Sequence, residues 1–414
     1  MGGGLIQLVS SGKQGQHLTS NPQISFFKQV HKKYTNFSME TIPLNFSQEV
    51  DFGSKSTCKI YRHGDLLHKC ILEIFLPKLS AAGNVEWTNG IGNAIIKEIT
   101  LLIGGEIIDK MDGNLLDIYS EFFLEEGKRK TYHKMIGYEN GEFEADGSDN
   151  NKAMKLFIPL EFWFCRNIGS ALPLVSMQYH DVEIQVEFRK FSELYNPFDA
   201  NPDRVKITSC KLYADYVFLD IDERKEFAKR THEYLITQHQ KNTDNSISYS
   251  QRNIKIDLTF NHPTKALFWY VKTKDSNDKN LWFDYDPRKD DGGNPIRFSQ
   301  SEMIQFVENV VLYLNGNERF QKRSGEYFRY IEPYKRCKNI PDKKNIYNYN
   351  FGFNTSQFQP NGYLNFSRID NATLLLDIVE SDLIKDDVIF ITIYAMNYNI
   401  LRVHSGMGGL LYKD

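Results

Sequence analysis

The stretch VLYLNGNERFQKRSGEYFRYIEPY, residues 311–334, decides the fold class of this chain of 414 residues. Apolar and polar residues alternate along its first part, which is the pattern of a half-buried β-strand. Asn315-Gly316 predicts a two-residue hairpin, because a type I′ turn needs positive φ at both central positions. The block at 347–378 continues the alternation, and Gln359-Pro360-Asn361-Gly362 predicts a second turn followed by a strand through 363–368. Tight antiparallel strands are therefore expected.

The same stretch has a counterpart earlier in the chain. LIGGEIIDKMDG (102–113) aligns with LNGNERFQKRSG (314–325) at a constant offset of 212, which pairs Gly104 with Gly316 and Gly113 with Gly325. Each block is followed by an aromatic-rich amphipathic segment. The match predicts two copies of one strand-rich unit.

Short strands and long loops dominate the rest of the chain. The sequence predicts a hairpin over 94–109 and a short helix over 114–123, and it predicts exposed loops near 125–155, 190–205 and 272–296. In particular, the charged stretch 125–152 is expected to be loop throughout. Two units rich in short alternating strands indicate two β-sandwiches, with short helices confined to loops.

The domain boundaries follow from this pattern. We predict an N-terminal arm over 1–35, a first sandwich over 36–221, a helical or extended linker over 222–234, a second sandwich over 235–402 and a C-terminal tail over 403–414. The arm is locally basic around Lys28 and Lys32–Lys33, which suits either contact with an acidic partner or a plain solvated surface.

Composition bounds the class of protein. The formal net charge is −3 and the pI is near 6.4, so no specific attraction to nucleic acid is expected. No apolar run approaches the roughly 20 residues of a membrane span, and the N-terminus lacks the features of a signal peptide. The five cysteines are scattered without a CxxC pair, which predicts free thiols and a reducing compartment.

Catalytic and metal-binding motifs are not found in the sequence. The glycines at 2–4 and 12 lack phosphate-loop spacing, and His232-Glu233 is followed by His239 rather than by a histidine four residues after the first. The acidic run 284–293 lacks calcium-loop spacing, and His68 lies on an apolar strand face, where a packed core histidine is expected. We therefore predict no catalytic residue, no cofactor and no metal site.

Four blocks together resemble the major capsid proteins of large eukaryotic nucleocytoplasmic double-stranded DNA viruses. The blocks are the arm at 2–40, IYRHGDLLHKCILEIFLP with AIIKEITLLIGGEIIDK, ERKEFAKRTHEYLI at 223–236, and the stretch from LYLNGNERF to NFSRIDNATL with NYNILRVHSGMGGLLY. The resemblance implies a double jelly roll, that is, two tandem eight-stranded jelly-roll sandwiches. It also implies a homotrimer of pseudo-hexagonal outline whose neighbouring trimers tile an icosahedral virion shell assembled in the host cytoplasm. The arm would then contact minor capsid proteins or an inner membrane.

Two alternatives stay open from the sequence. One is a minor or vertex-associated capsid protein with the same fold. The other is a carbohydrate-binding or glycan-cleaving β-sandwich, suggested by Trp163, Trp269 and Trp282. That second alternative needs at least one exposed tryptophan.

Overall fold

The computed structural model describes residues 2–79, 85–138, 153–197, 202–242, 245–285, 305–341, 344–380 and 388–413. Much of the predicted loops, at 139–152, 198–201 and 286–304, lies outside the described residues. The chain divides into two compact units, Met1–Asn36 and Phe37–Asp414.

The first unit, here called the arm, contains two short helices, α1 (Gly3–Val9) and α2 (Lys13–Thr19). No side chain of either helix is buried. Ten large apolar side chains of the arm are exposed, at Leu5, Ile6, Leu8, Val9, Leu18, Ile24, Phe26, Phe27, Val30 and Tyr34.

The described residues of the first sandwich form ten strands. They are β1 (Phe37–Asn45), β2 (Lys55–Ile60), β3 (Leu66–Leu76), β4 (Glu86–Trp87), β5 (Ile96–Ile103), β6 (Glu106–Met111), β7 (Met154–Pro159), β8 (Val182–Phe188), β9 (Tyr195–Asn196) and β10 (Ser209–Leu219). One four-stranded sheet has the order β1-β10-β3-β7 and the facing sheet has the order β2-β8-β5-β6, while β4 and β9 pair separately. All neighbours in both sheets are antiparallel.

The second sandwich uses the remaining strands. They are β11 (His232–Lys241), β12 (Asn245–Ser248), β13 (Asn253–Asp257), β14 (Pro263–Thr273), β15 (Val307–Leu314), β16 (Asn317–Glu318), β17 (Arg323–Ser324), β18 (Ile346–Asn350), β19 (Leu364–Asn365), β20 (Ala372–Ile378), β21 (Val388–His404) and β22 (Met407–Leu410). One sheet has the path β11-β21-β14-β18, and the other has the path β13-β20-β15-β16.

The two sandwiches share one topology. The order β1-β10-β3-β7 corresponds strand for strand to β11-β21-β14-β18, and β2-β8-β5-β6 corresponds to β13-β20-β15-β16. In both, the chain alternates between the two sheets in the same sequence, which is the jelly-roll connection. The predicted fold class, a double jelly roll, is confirmed.

Strand periodicity builds both cores. Along β8, Val182, Ile184, Val186 and Phe188 are buried while the residues between them are half-buried. In the second sandwich, Trp269 and Tyr347 stack in the interior with ring centroids 5.9 Å apart. Alternate side chains of each strand thus fill the space between the sheets.

The internal repeat is real, but its alignment needs a correction. The Asn315-Gly316 turn has φ of 49° and 80°, and the matching turn is Gly104-Gly105 with φ of 60° and 81°. The hairpins therefore correspond at an offset of 211, so the predicted pairing of Gly104 with Gly316 is wrong by one residue. The offset returns to 212 at Gly113 and Gly325, where a helical segment begins in each sandwich. The reason is that the second copy has one more residue than the first between the hairpin turn and this glycine.

In the described connections lie seven further helices. They are α3 (Ile91–Ala94), α4 (Gly113–Phe122), α5 (Glu126–Met135), α6 (Trp163–Arg166), α7 (Ile221–Lys229), α8 (Lys274–Asp278) and α9 (Glu332–Arg336). Helix α4 confirms the predicted short helix. Helix α5 shows that the loop prediction for 125–152 was wrong in its first part, where Tyr132 and His133 are buried against the sandwich. The predicted strand over 363–368 is also wrong beyond Asn365, since Phe366–Arg368 form a 3₁₀ turn.

Helix α7 connects the sandwiches and is fixed to the first by an ion pair. Both nitrogens of the Arg224 fork donate to the Asp65 carboxylate, with Nε at 2.7 Å and Nη2 at 2.9 Å. Asp65 is buried and also accepts from the backbone N–H of Leu219. Two of the blocks that carry the family resemblance, RHGD and ERKEFAK, therefore meet at this bidentate contact.

Candidate functional site: the contact between the sandwiches

An extensive contact lies between the two sandwiches. The outer face of the sheet β11-β21-β14-β18 carries Phe268, Tyr270, Tyr394 and Met396, and all four belong to the core cluster of the first sandwich. They pack over α4, all of whose residues are buried. The rings of Phe122 and Phe268 meet at 5.3 Å.

A buried ion cluster reinforces this contact. The Lys344 ammonium lies 2.6 Å from Asp117 Oδ1 and 3.1 Å from Glu121 Oε1, and each of the three side chains is at most 5% exposed. Arg129 of α5 pairs with the same Glu121, and Tyr285 donates its hydroxyl to Asp117 at 3.1 Å. One lysine of the second sandwich thus neutralises two carboxylates of α4.

A second polar chain contains a histidine. The backbone N–H of His239 donates to Asp109 Oδ1 at 2.9 Å, and its ring Nδ1 lies 3.0 Å from Asp109 Oδ2. The ring Nε2 lies 2.6 Å from the Tyr119 hydroxyl, which also accepts from Arg166 at 3.0 Å. With Nδ1 facing a carboxylate, Nδ1–H donates to Asp109 and Nε2 accepts from Tyr119.

Asp112 links the start of α4 to the second sandwich. Its Oδ1 caps the helix by accepting from the Leu115 N–H at 2.8 Å. The same carboxylate accepts from the Tyr394 hydroxyl at 2.7 Å and lies 3.2 Å from Lys241 Nζ. A helix cap, which is a local feature in most proteins, here also holds two sandwiches together.

The Asp109–His239–Tyr119 arrangement has the connectivity of an activated nucleophile, but its chemistry does not suit that role. Both the His239 and Asp109 side chains are at most 2% exposed. Burial raises the pKa of the Tyr119 phenol, so the protonated form is favoured and attack by a phenolate is disfavoured. Within the described ranges, no group of three His, Cys, Asp or Glu side chains is placed to hold a metal ion. The geometry supports a structural contact.

The C-terminal hairpin closes one end of the contact. The backbone N–H of Tyr179 donates to Gly406 O at 2.9 Å, and His180 Nδ1 lies 2.8 Å from Gly408 O. A Cβ at Gly408 would lie 2.8 Å from the Met177 sulfur, so any other residue here requires the Met177 side chain to shift. The stretch predicted as a tail therefore includes a strand, β22, that rests against the first sandwich.

Beside this hairpin lies a cleft of roughly 320 Å³ lined by residues of both sandwiches. Its walls include β6, the middle of β11 and the C-terminal Tyr412 and Lys413. Lys413 is paired with Glu106 at 2.8 Å. The charged groups that line the cleft have partners: Asp109 lies beside His239, and Lys110 pairs with Glu98 outside the lining.

The tryptophans do not form a sugar-binding platform. Trp87, Trp163 and Trp269 are buried. Trp282 is half-buried, and the Arg189 guanidinium covers its ring at 3.5 Å from the centroid. The exposed aromatic that the glycan alternative requires is not supplied by any of the four.

The sequence assigned no residue to a site, and the residues of this contact were not singled out. His68 lies where it was predicted, buried, with its Nδ1 2.6 Å from Phe164 O. Asp109, Asp112 and Asp117 were missed as contact residues. The available signal was acidic residues among the apolar residues of a strand and a helix, a pattern typical of buried, paired charges.

Comparison with known protein families covers nearly the whole chain. Residues 25–220 match a family described as major capsid protein N-terminus. Residues 223–409 match a family described as large eukaryotic DNA virus major capsid protein. The boundary between the two matches lies at the start of α7.

Individual proteins give the same result over their full lengths. The chain is 37% identical to the major capsid protein of Pyramimonas orientalis virus and 33% identical to that of Paramecium bursaria Chlorella virus 1, with 100% of each chain covered. A quasi-atomic model of the PBCV-1 virus capsid superposes with a TM-score of 0.80 at 29% identity, covering 94% of this chain and 100% of the other. The Faustovirus major capsid protein, at 12% identity and a TM-score of 0.75 with 95% and 94% coverage, shares the fold.

Proposed function

This chain belongs to the major capsid proteins of large eukaryotic DNA viruses, and we propose that it performs their structural role as a homotrimer. Its place is the capsid of the virion, where it assembles with neighbouring capsid proteins. The observation that carries the trimer is the repeated topology, because two like sandwiches per chain let three chains approximate sixfold packing. Neighbouring trimers then tile the faces of an icosahedral shell.

The trimer is tested by the mass of the purified protein in solution. Light scattering coupled to size exclusion is expected to give three times the chain mass of 48.2 kDa at micromolar concentration. A stable monomer under these conditions would contradict the proposal. Dilution serves as the control, since a permanent interface keeps its mass over a wide concentration range.

We further propose that the chain has no enzymatic activity and holds no cofactor or metal. Its triad-like group is an internal contact with a protonated phenol, and the tryptophan faces are covered. Specific glycan binding or hydrolysis that is lost on Trp282→Ala would contradict this. The net charge of −3 supports the absence of specific nucleic-acid binding.

The domain division stays as predicted from the sequence: arm 1–35, first sandwich 36–221, linker 222–234, second sandwich 235–402 and tail 403–414. Supporting features are the start of β1 at Phe37 and helix α7 at Ile221–Lys229. Assembly in the host cytoplasm is supported by five cysteines that are all free thiols. Immunogold labelling of assembling particles in infected cells tests that location.

We propose that the arm binds the inner membrane and also contacts minor capsid proteins. The first acidic residue of the chain is Glu40, whereas Lys13, Lys28, Lys32 and Lys33 precede it. Exposed apolar residues such as Phe26 and Phe27 lie between these lysines, and the combination suits the surface of an anionic bilayer. No helix in the described part of the chain is long and apolar enough to cross a membrane.

Removing the arm tests this role. A chain that begins at Phe37 is expected to keep its solution mass and to lose co-sedimentation with vesicles that contain anionic lipid. The full-length chain with Lys28, Lys32 and Lys33 changed to glutamine is expected to lose most of the binding, since each lysine contributes about 1 kcal/mol near such a surface. Undiminished binding of either variant would contradict the proposal.

A further inference from the structure

The duplicated helical segments of the two sandwiches differ in what covers them. In the first sandwich, Tyr119 and Phe122 of α4 are 3% and 0% exposed because the second sandwich packs over them. At the offset of 212, their counterparts in the helical segment 325–336 are Ile331 and Tyr334, which are 44% and 78% exposed. The same segment of the repeat is thus covered in one copy and bare in the other.

The bare surface is a continuous apolar stripe. Tyr330, Ile331 and Tyr334 lie three and four residues apart on one side of the segment, and these three residues are here called the helix face. A π-helical turn over Tyr327–Ile331 turns Phe328 and Arg329 inward, where both are buried, and leaves Tyr330 and Ile331 outward. π-helical turns are rare and concentrate at functional sites.

The sheets show the reciprocal difference. Strands β3 and β14 each have eleven residues and the same place in their sheets, so Ile71 corresponds to Phe268 and Glu73 to Tyr270. Phe268 and Tyr270 are buried under α4 and its surroundings. On the first sandwich, four apolar or aromatic outer side chains of the corresponding sheet are only half-buried, and this set is here called the sheet face: Ile71, Phe75, Phe157 and Tyr213.

We propose that the helix face of one chain docks on the sheet face of the next copy in the trimer. The contact inside the chain indicates what covers the helix face. There, the outer face of the sheet β11-β21-β14-β18 covers α4, and the sheet face is the corresponding surface of the first sandwich. In the ring, the intrachain contact and the interchain contact alternate, which places six sandwiches in equivalent surroundings. This inference rests on the proposed homotrimer and assigns its interface.

The chemistry of the two faces is compatible. The sheet face is crossed by the Glu73–Lys155 pair at 2.8 Å, in which Glu73 is buried and Lys155 is half-exposed. The helix face brings two tyrosines, whose hydroxyls need polar partners once they are covered. The named residues of both faces are apolar or aromatic, and Lys69 and Lys211, exposed on the same side of the sheet, border the sheet face.

A head-to-tail interface can be tested by breaking one face at a time. Tyr334→Asp places a charge in the helix face and leaves the sheet face unchanged. Phe157→Asp places a charge in the sheet face and leaves the helix face unchanged. Each variant alone is expected to be monomeric, a threefold fall in mass. An equimolar mixture retains one intact pairing and is expected to form a two-chain species that cannot close into a ring.

Controls separate docking from folding. Tyr61→Asp changes a tyrosine that is 52% exposed and belongs to neither face, and it is expected to stay trimeric. Tyr213→Asp serves as a second sheet-face variant, with thermal unfolding recorded for every variant to confirm that the chain is folded. Tyr334 is too exposed for its loss to unfold the chain.

The outcomes are distinct. A trimeric Tyr334→Asp protein, or a mixture in which both folded variants remain monomers, overturns the assigned interface while the wild-type trimer stands. A monomeric wild-type protein overturns the proposed trimer itself. A two-chain species that appears only in the mixture supports the pairing of these two faces.

Discussion

Replacing Lys344 with alanine is expected to cost about 3–5 kcal/mol of folding free energy. The substitution leaves Asp117 and Glu121 buried, close together and without their shared cation. Arg129 still pairs with Glu121, but Asp117 loses its ion-pair partner, and an uncompensated carboxylate in the interior is expensive because water does not reach it. The loss should appear as a large fall in the midpoint of urea unfolding, measured at one fixed protein concentration because assembly adds to apparent stability.

Lys338→Ala is the matched control for this prediction. Lys338 also pairs with a carboxylate, Glu125, at 2.9 Å, but the two side chains are 41% and 51% exposed. Solvent screens such a pair, so the expected change is about 0–1 kcal/mol. Equal effects of the two substitutions would show that the buried cluster does not hold the sandwiches together.

Gly113→Ala is expected to destabilise the first sandwich by about 3 kcal/mol. A Cβ at this position would collide with the backbone carbonyl oxygen of Asn93, which cannot move aside as a flexible side chain can. Gly325 begins the matching segment and is closed in the same way by the carbonyl of Val307. At both positions of the repeat a neighbouring backbone carbonyl leaves no room for a Cβ, so glycine is required. Gly325→Ala should therefore have a similar effect.

Gly127→Ala provides the comparison, because nothing lies within 4 Å of a Cβ there. Gly127 is in the first turn of α5, where alanine is expected to stabilise by up to about 1 kcal/mol. Thermal and urea unfolding of the three variants measure the difference. If Gly113→Ala proved as stable as the wild type, the close approach of α4 to Asn93 would not be needed by the fold.

Local chemistry made the repeated strands predictable. Asn315-Gly316 specifies a type I′ turn by its need for positive φ, and alternation along the flanking residues specifies the strands. The helix at 113–122 followed from its 3.6-residue period. Helix α5 escaped prediction because its sequence is highly charged, and its place is set by two residues, Tyr132 and His133, that pack inward.

The contact between the sandwiches could not be read from the sequence in the same way. Periodicity identifies the apolar side of α4. That helix is nevertheless buried on all sides, and the residues that cover its other side belong to the second sandwich, more than 100 positions away in the sequence. His239 meets Asp109 across 130 positions, and Lys344 meets Asp117 across 227. Such pairs depend on the three-dimensional path of the chain, on which local propensity carries no information.

The aromatic segments illustrate the limit. Phe162, Trp163 and Phe164 are buried, whereas EYFRY is divided between buried Phe328 and exposed Tyr330. Composition alone does not separate these uses. The comparison of the two copies of the repeat does, because it shows which surface is covered within one chain and bare in its duplicate.

The central claim is that three chains, each with two like sandwiches, close into one ring. Electron microscopy of the purified protein tests it most directly. Class averages viewed along the particle axis are expected to show a six-sided outline with exact threefold symmetry. Isolated two-lobed particles, or rings of a different number of chains, would contradict the account.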